Sequence, residues 1–140
     1  MRAAVYNDVV AVLAALNSVT GEDKQALVNV RNTEGECVLS LAAKTGLVAV
    51  VKILLANGAQ PDMMSVLGTT PLHEACYEQH EATAKQLLAE RANPQTFSLS
   101  KRMDGLNALH IACRRNAAAC AKLLLQHDPS LGSAATKEGE

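Results

Sequence analysis

Two short apolar stripes at helical spacing, separated by a polar break, occupy residues 68–95. Leu72, Ala75 and Cys76 lie at i, i+3 and i+4, the spacing of one helix face. After the polar residues 78–81, a second stripe contains Ala82, Ala84, Leu87 and Leu88. Isolated helices below about 12 to 15 residues are marginal in water. The pattern therefore predicts two short antiparallel helices that bury their apolar faces against neighbouring copies of the same unit.

Thr70 and Pro71 predict where the first of these helices begins. A threonine hydroxyl can accept a hydrogen bond from an unpaired amide of the first turn, and proline at the first helical position loses no hydrogen bond. We expect this helix to run from Pro71 to about Glu78.

The same unit occurs three times in the chain. Gly35 precedes Gly68 by 33 residues, and Gly105 follows it by 37. At these offsets the leucines and alanines coincide: Leu39, Leu72 and Leu109, and Ala42, Ala75 and Ala112. The period of 33, the turn and the intact TPLH of the middle copy resemble the ankyrin repeat. The first copy adds AAKTG, VVKILL and NGA, and the resemblance covers residues from about 29 to 130.

This resemblance implies an all-α fold, an ankyrin-repeat solenoid of stacked helix-turn-helix units joined by β-hairpin-like loops. We expect a shortened N-terminal repeat and loop at 1–31, full repeats at 32–64, 65–101 and 102–130, and a disordered polar tail at 131–140. The 65–101 repeat carries an extended loop at 96–101. In the shortened repeat, residues 9–16 are predicted to form an outer-type helix over the end of the stack, and residues 17–26 a loop.

The helix starts differ between the copies. Cys37 and Val38 replace Thr and Pro in the first copy, so its first helix is expected to lack a strong cap. Asn107 and Ala108 stand there in the third copy, and asparagine remains a good cap.

Composition and charge exclude several function classes. The 140 residues are 49% hydrophobic and 19% charged, typical of one soluble globular domain. Aromatic content is only 2%, which suits helices that approach through alanine and leucine. A net charge of -1 provides no overall attraction to nucleic acid or membrane. No stretch approaches the 18 or so apolar residues of a membrane span, and an intracellular location is expected, cytoplasmic with the nucleus left open.

Histidines and cysteines recur at one spacing, His73 with Cys76 and His110 with Cys113. A shared zinc site conflicts with stacked helices about 8 to 10 Å apart, since zinc bonds are about 2 Å long. We instead expect Ala43, Cys76 and Cys113 to share one buried column, with no metal and no cofactor. The resemblance gives His73 a role in hydrogen bonding between the turns of adjacent repeats.

No phosphate-binding loop or third catalytic group accompanies these histidines and cysteines, so the chain is predicted not to be an enzyme. A thiol enzyme or metal-binding protein is the least favoured alternative.

The resemblance implies that hairpin tips and the exposed sides of the first helices form a concave surface that binds a protein partner. Tyrosine and arginine are enriched at interface hot spots, and apolar residues at the tips have no evident folding role. Five basic residues within 101–122 oppose one acidic residue, which suits an acidic or phosphorylated partner segment. The predicted contacts are Glu34, Glu36, Lys44, Val66, Leu67, Thr69, Tyr77, Glu78, Met103, Asp104, Leu106, Arg114 and Arg115, with Thr33 and Thr45 beside them.

The last copy is apolar on the side that a terminal repeat normally shows to water. We expect this face to include Ile111, Ala118, Ala119, Leu123, Leu124 and Leu125. The alternative function is therefore structural: a fragment of a longer repeat array that self-associates or packs through its C-terminal repeat face.

Overall fold

The computed structural model describes residues 2–31, 35–65, 68–90, 92 and 107–128. Within these residues the chain forms eight α-helices and no strand, with one isolated antiparallel bridge between Arg31 and Cys37. The predicted all-α fold is confirmed. The helices are α1 (Arg2–Leu16), α2 (Glu22–Val28), α3 (Val38–Thr45), α4 (Val48–Ala56), α5 (Pro71–Tyr77), α6 (Glu81–Ala89), α7 (Ala108–Arg114) and α8 (Ala118–His127).

The helices pack as pairs in two columns. Each first helix packs against the next one along the column, in the order α1, α3, α5 and α7. The second helices α4, α6 and α8 form a parallel column, and each also contacts the first helix of its own pair. Every short helix therefore buries its apolar stripe against its partner and the neighbouring pair, as the repeated pattern predicts.

The core consists of equivalent residues stacked layer upon layer. Ala42, Ala75 and Ala112 are fully buried in the first-helix column, where the absence of a large side chain allows close approach of the backbones. Leucines fill the equivalent layer of the second helices, and burying one such side chain contributes roughly 1.5 to 3 kcal/mol. These leucines are Leu54, Leu87 and Leu124.

The caps follow the helix starts predicted from the sequence. Thr70 Oγ1 accepts a hydrogen bond from the His73 amide at 3.3 Å, and His73 Nδ1 accepts one from the Thr70 amide at 3.0 Å. Asn107 Oδ1 likewise accepts from the His110 amide at 3.0 Å. Cys37 provides no side-chain cap to α3. These three predictions are confirmed.

The N-terminal helices differ from the prediction in two ways. The α1 helix packs against α3, so it belongs to the first-helix column and is not an outer-type helix. The predicted loop 17–26 contains the start of a second helix, α2. Tertiary packing outweighs the weak local pattern here, because Val28 is buried in the core at the end of α2 and Asp23 lies in the first turn, where negative charge suits the helix dipole.

The turn between the helices of each full pair passes through the left-handed region at one equivalent residue. Gly46, Gln79 and Asn116 have φ of 75°, 63° and 58°. Only glycine adopts this conformation without steric cost, so Gln79 and Asn116 depend on the surrounding packing to hold them there. The turn directs the second helix back along the first and brings residues 77–80 against the neighbouring pairs.

Candidate protein-binding surface

Five of the predicted contact residues lie at or next to the C-terminal ends of α3, α5 and α7, and a sixth, Glu36, precedes α3 and pairs with Lys44. We call these residues the first-helix surface. Arg114 and Arg115 are exposed, and the other four are half-buried. The six are Glu36, Lys44, Tyr77, Glu78, Arg114 and Arg115.

Side chains from one pair cap the helix ends of a neighbouring pair. The last carbonyls of a helix have no partner within it. His80 Nε2 hydrogen-bonds the Lys44 carbonyl at the end of α3 over 3.1 Å. Arg115 Nε donates to the Tyr77 carbonyl at the end of α5 at 3.0 Å, and Gln79 Nε2 donates to the Arg115 carbonyl after α7 at 3.1 Å. The first-helix surface is thus held together across three helix pairs.

Tyr77 and Arg115 form one unit within this surface. The guanidinium carbon of Arg115 lies 4.4 Å from the centre of the Tyr77 ring. A cation over an aromatic face is attracted by the ring quadrupole, with about 0.5 to 1 kcal/mol at exposed sites. Together with the hydrogen bond to the Tyr77 carbonyl, this contact holds the guanidinium of Arg115 beside Tyr77.

Charge is distributed unevenly along the surface. Lys44 Nζ lies 3.8 Å from Glu36 Oε2, and the two side chains are 24% and 12% exposed. Such a pair contributes little to stability, about 0 to 1 kcal/mol, but it offsets both charges at this end. The opposite end carries Arg114 and Arg115, so positive charge is concentrated near α7.

Thr69 corrects the predicted contact set. Its side chain is 1% exposed and therefore cannot meet a partner. The hydroxyl donates to Glu74 Oε2 at 3.1 Å and hydrogen-bonds Ser65 Oγ at 3.1 Å, while the Ser65 amide donates to the Thr69 carbonyl at 2.8 Å. These polar groups satisfy one another, which allows Thr69 to be buried against Ser65 and Glu74.

Other predicted contacts have different outcomes. Thr45 is half-buried, and its hydroxyl lies 3.0 Å from the Leu41 carbonyl and 3.2 Å from the Ala42 carbonyl. The remaining predicted residues and the extended loop 96–101 lie outside the described part of the chain. These residues are Thr33, Glu34, Val66, Leu67, Met103, Asp104 and Leu106.

Sequence reasoning missed the polar residues that link the pairs. Gln79 and His80 were assigned to a polar break, yet both cap helices of other pairs. Arg31 donates from Nη1 to the Gly35 carbonyl at 3.1 Å and from Nη2 to the Met64 carbonyl at 2.6 Å. For these linking roles the sequence offers one signal, which is that Gln79 aligns with Gly46 at the left-handed turn.

The cysteines follow the prediction in part. Ala43 and Cys76 are buried, but Cys113 is exposed, so the predicted column does not extend to α7. Cys76 is covered by the pair α7 and α8, whose Cys120 hydrogen-bonds it. Among the described residues, no helix follows this pair to cover Cys113 in the same way. The hydrogen bond with Cys120, together with burial, raises the pKa of the Cys76 thiol well above its ordinary value. The same hydrogen bond lowers the pKa of Cys120.

His73 and Cys76 are engaged in structural contacts. His73 is buried, and its Nδ1 serves the cap of α5. All four cysteines of the chain are free thiols. Within the described ranges, no three side chains among His, Cys, Asp and Glu are grouped so that they could hold a metal ion. The same ranges contain no helix that is both long and apolar enough to cross a membrane.

The apolar face predicted for the last copy is only partly exposed. Ile111 and Leu124 are buried in the core, which corrects that expectation for both residues, because each packs within the α7 and α8 pair or against the preceding pair. Leu123 is half-buried, Ala118 and Ala119 are exposed, and Leu125 is 39% exposed. Among the described residues, small side chains and one leucine therefore form the remaining exposed apolar part of α8.

Stacked helix pairs with equivalent surface residues define a helical-repeat protein, a class that uses such surfaces for binding. Residues 1–98 match the family model described as ankyrin repeats in three copies, and residues 104–135 match that of an ankyrin repeat. The chain belongs to the ankyrin-repeat family. Ankyrin repeats are protein-interaction modules, and the family is generally non-catalytic.

Known relatives agree with this assignment. The chain is 33% identical to human B-cell lymphoma 3 protein over 79% of its length, and 37% identical to mouse ankyrin repeat and SOCS box protein 16 over 67%. It spans only 24% and 22% of those two proteins. The crystal structure of the human ASB11 ankyrin repeat domain matches with a TM-score of 0.58 and 32% identity, covering 64% of this chain and 39% of that one.

Proposed function

We propose that this chain is a non-catalytic protein-binding module and that the first-helix surface is its contact site. The single observation that supports this most strongly is the Tyr77–Arg115 unit, which joins two helix pairs and presents the two residue types that are enriched at binding hot spots. In this proposal the surface is concave, and the hairpin tips extend it with Glu34, Val66, Leu67, Met103, Asp104 and Leu106.

The mechanism is rigid presentation of these side chains. Association costs free energy when loops and side chains become ordered at the interface. Capping hydrogen bonds between the pairs already hold the ends of α3, α5 and α7, so less order has to be gained on binding. A modest surface of charged and aromatic groups can then suffice. The partner is either a separate protein or another domain of a longer chain.

Affinity capture from a cell lysate tests the site. The test variant combines Tyr77→Ala, Arg114→Ala and Arg115→Ala. The control combines Lys52→Ala and Lys85→Ala, which removes two positive charges from exposed positions on the second helices α4 and α6. Circular dichroism first establishes that all three proteins are equally helical.

Wild type and control should retain a protein that the test variant loses. Equal retention by all three proteins, or loss by the control as well, would contradict the proposed surface.

A second candidate function is self-association through α8, which the 39% exposure of Leu125 favours. Light scattering over a range of concentrations tests it with Leu125→Ser, which should weaken a dimer. A wild type that stays monomeric throughout would exclude this candidate.

A location inside the cell is part of the proposal as well. Four free thiols, of which three are buried, suit a reducing compartment.

A further inference from the structure

We propose that Arg115 is a preformed receptor for the carboxylate of an aspartate or glutamate side chain in the protein partner. This inference rests on the proposed function, because it names the chemistry that one part of the first-helix surface recognises. The argument depends on which atoms of the guanidinium are occupied and which are open.

Tyr77 holds the guanidinium through two contacts. Nε donates to the Tyr77 carbonyl at 3.0 Å, and the guanidinium carbon lies over the Tyr77 ring, 4.4 Å from its centre. The side chain as a whole remains exposed. In the described part of the chain, the Nη1 and Nη2 groups of Arg115 form no hydrogen bond and no ion pair. The edge that carries these two nitrogens is therefore available to a ligand.

This open edge suits a carboxylate. Two parallel N–H groups of a planar guanidinium match the two oxygens of a carboxylate and form a pair of charge-assisted hydrogen bonds. An ordinary exposed arginine must lose side-chain freedom to bind in this way. Arg115 has already lost part of that freedom to its contacts with Tyr77, so binding a ligand costs less entropy. Exposed Arg114 next to it adds a second positive charge that attracts an acidic segment.

The surroundings favour a singly charged carboxylate over a phosphate group. Arg115 lies at the C-terminal ends of α5 and α7, where helix dipoles place partial negative charge. Glu78 adds a carboxylate that forms no ion pair with any described residue. A phosphate group carries more negative charge, and such positions disfavour it more strongly. The observations therefore favour an acidic residue over a phosphorylated one.

Selection of peptides from a random displayed library tests this inference directly. Peptides selected on the wild type should share an acidic residue at one position, and selection on Arg115→Glu should replace it with a basic one. A second outcome is that the selected peptides bind the wild type but not the Tyr77, Arg114 and Arg115 triple variant, while sharing no acidic residue. That result would overturn this inference and leave the proposed function standing. No selected peptide, or peptides that bind the triple variant equally, would overturn both.

Synthetic versions of one selected peptide then measure the contact. Replacing its acidic residue with glutamine should weaken binding by about 10-fold or more, since charge-assisted hydrogen bonds are lost. A phosphoserine at this position that binds more tightly than glutamate would show that the site prefers phosphate and would overturn the choice of carboxylate.

Two further variants separate binding from structural support. Arg115→Lys keeps the positive charge but loses the two parallel N–H donors of the guanidinium, so the affinity for the peptide should also fall about 10-fold. An unchanged affinity would refute the preformed receptor. Asn29→Ala removes hydrogen bonds to Gly58 and Gln60 that link two helix pairs away from the first-helix surface, so affinity should stay within about 2-fold. A loss as large as that of Arg115→Lys would indicate that Arg115 acts only by holding the pairs together. Lys52→Gln, a change on the second helices, provides the charge control.

Discussion

Replacing Gly46 with alanine should destabilise the stack by a calculable amount. A Cβ at Gly46 would lie 2.7 Å from His80 Nδ1 and 2.8 Å from Cε1, closer than real contacts allow. The ring would have to move, and its hydrogen bond to the Lys44 carbonyl, worth about 0.5 to 1.5 kcal/mol, would be lost. Alanine at φ 75° adds about 1 to 2 kcal/mol, and the restricted unfolded chain offsets about 0.4 to 1 kcal/mol. We therefore expect a net loss of about 0.5 to 3 kcal/mol.

Urea denaturation followed by circular dichroism measures this loss, with equal slopes required for all variants. Gly21→Ala provides a positive-φ alanine without a collision, because Gly21 has φ 57° and ψ -127° and open space where its Cβ would lie. It should show the backbone cost of its own conformation alone. In a His80→Ala background, Gly46→Ala should lower the free energy of unfolding by about 0.5 to 1.5 kcal/mol less than in the wild type, because the hydrogen bond of His80 is already absent. An effect of Gly46→Ala that is the same with and without His80 would refute the predicted collision.

Three further predictions concern the caps, the core and the thiols. Thr70→Ala should cost about 0.5 to 2 kcal/mol of unfolding free energy, whereas Thr70→Ser should retain most of the cap; equal losses would argue against the capping hydrogen bond. Leu87→Ala should cost about 2 to 5 kcal/mol because Leu87 is fully buried, while Leu125→Ala should cost less than about 0.5 kcal/mol. In the native protein a thiol reagent should modify exposed Cys113 first and Cys76 last, because burial and a raised pKa protect Cys76; mass mapping of early modification at Cys76 would contradict this order.

The helix pairs and their start points could be predicted from the sequence because they depend on nearby residues. A helix stripe needs apolar groups three and four positions apart, and a cap needs a hydroxyl or amide three positions from the amide it accepts from. Residues 70–73 and 107–110 satisfy these local rules, and both caps form as predicted. Repetition of the same stripe at offsets of 33 and 37 then required the pairs to stack, since none of them is stable alone.

Only the tertiary structure decided which polar residues lie on the surface and which connect the pairs. Gln79 and Arg115, or His80 and Lys44, are 36 positions apart in the chain, so no local pattern brings them together. Thr69 was expected on the surface but is buried, and its hydroxyl is satisfied there by Ser65 and Glu74. Cys113 was expected in the core but is exposed, because burial depends on what packs beyond α7. Hydrogen-bond partners and burial are set by distances between pairs, and those distances exist only once the pairs have stacked.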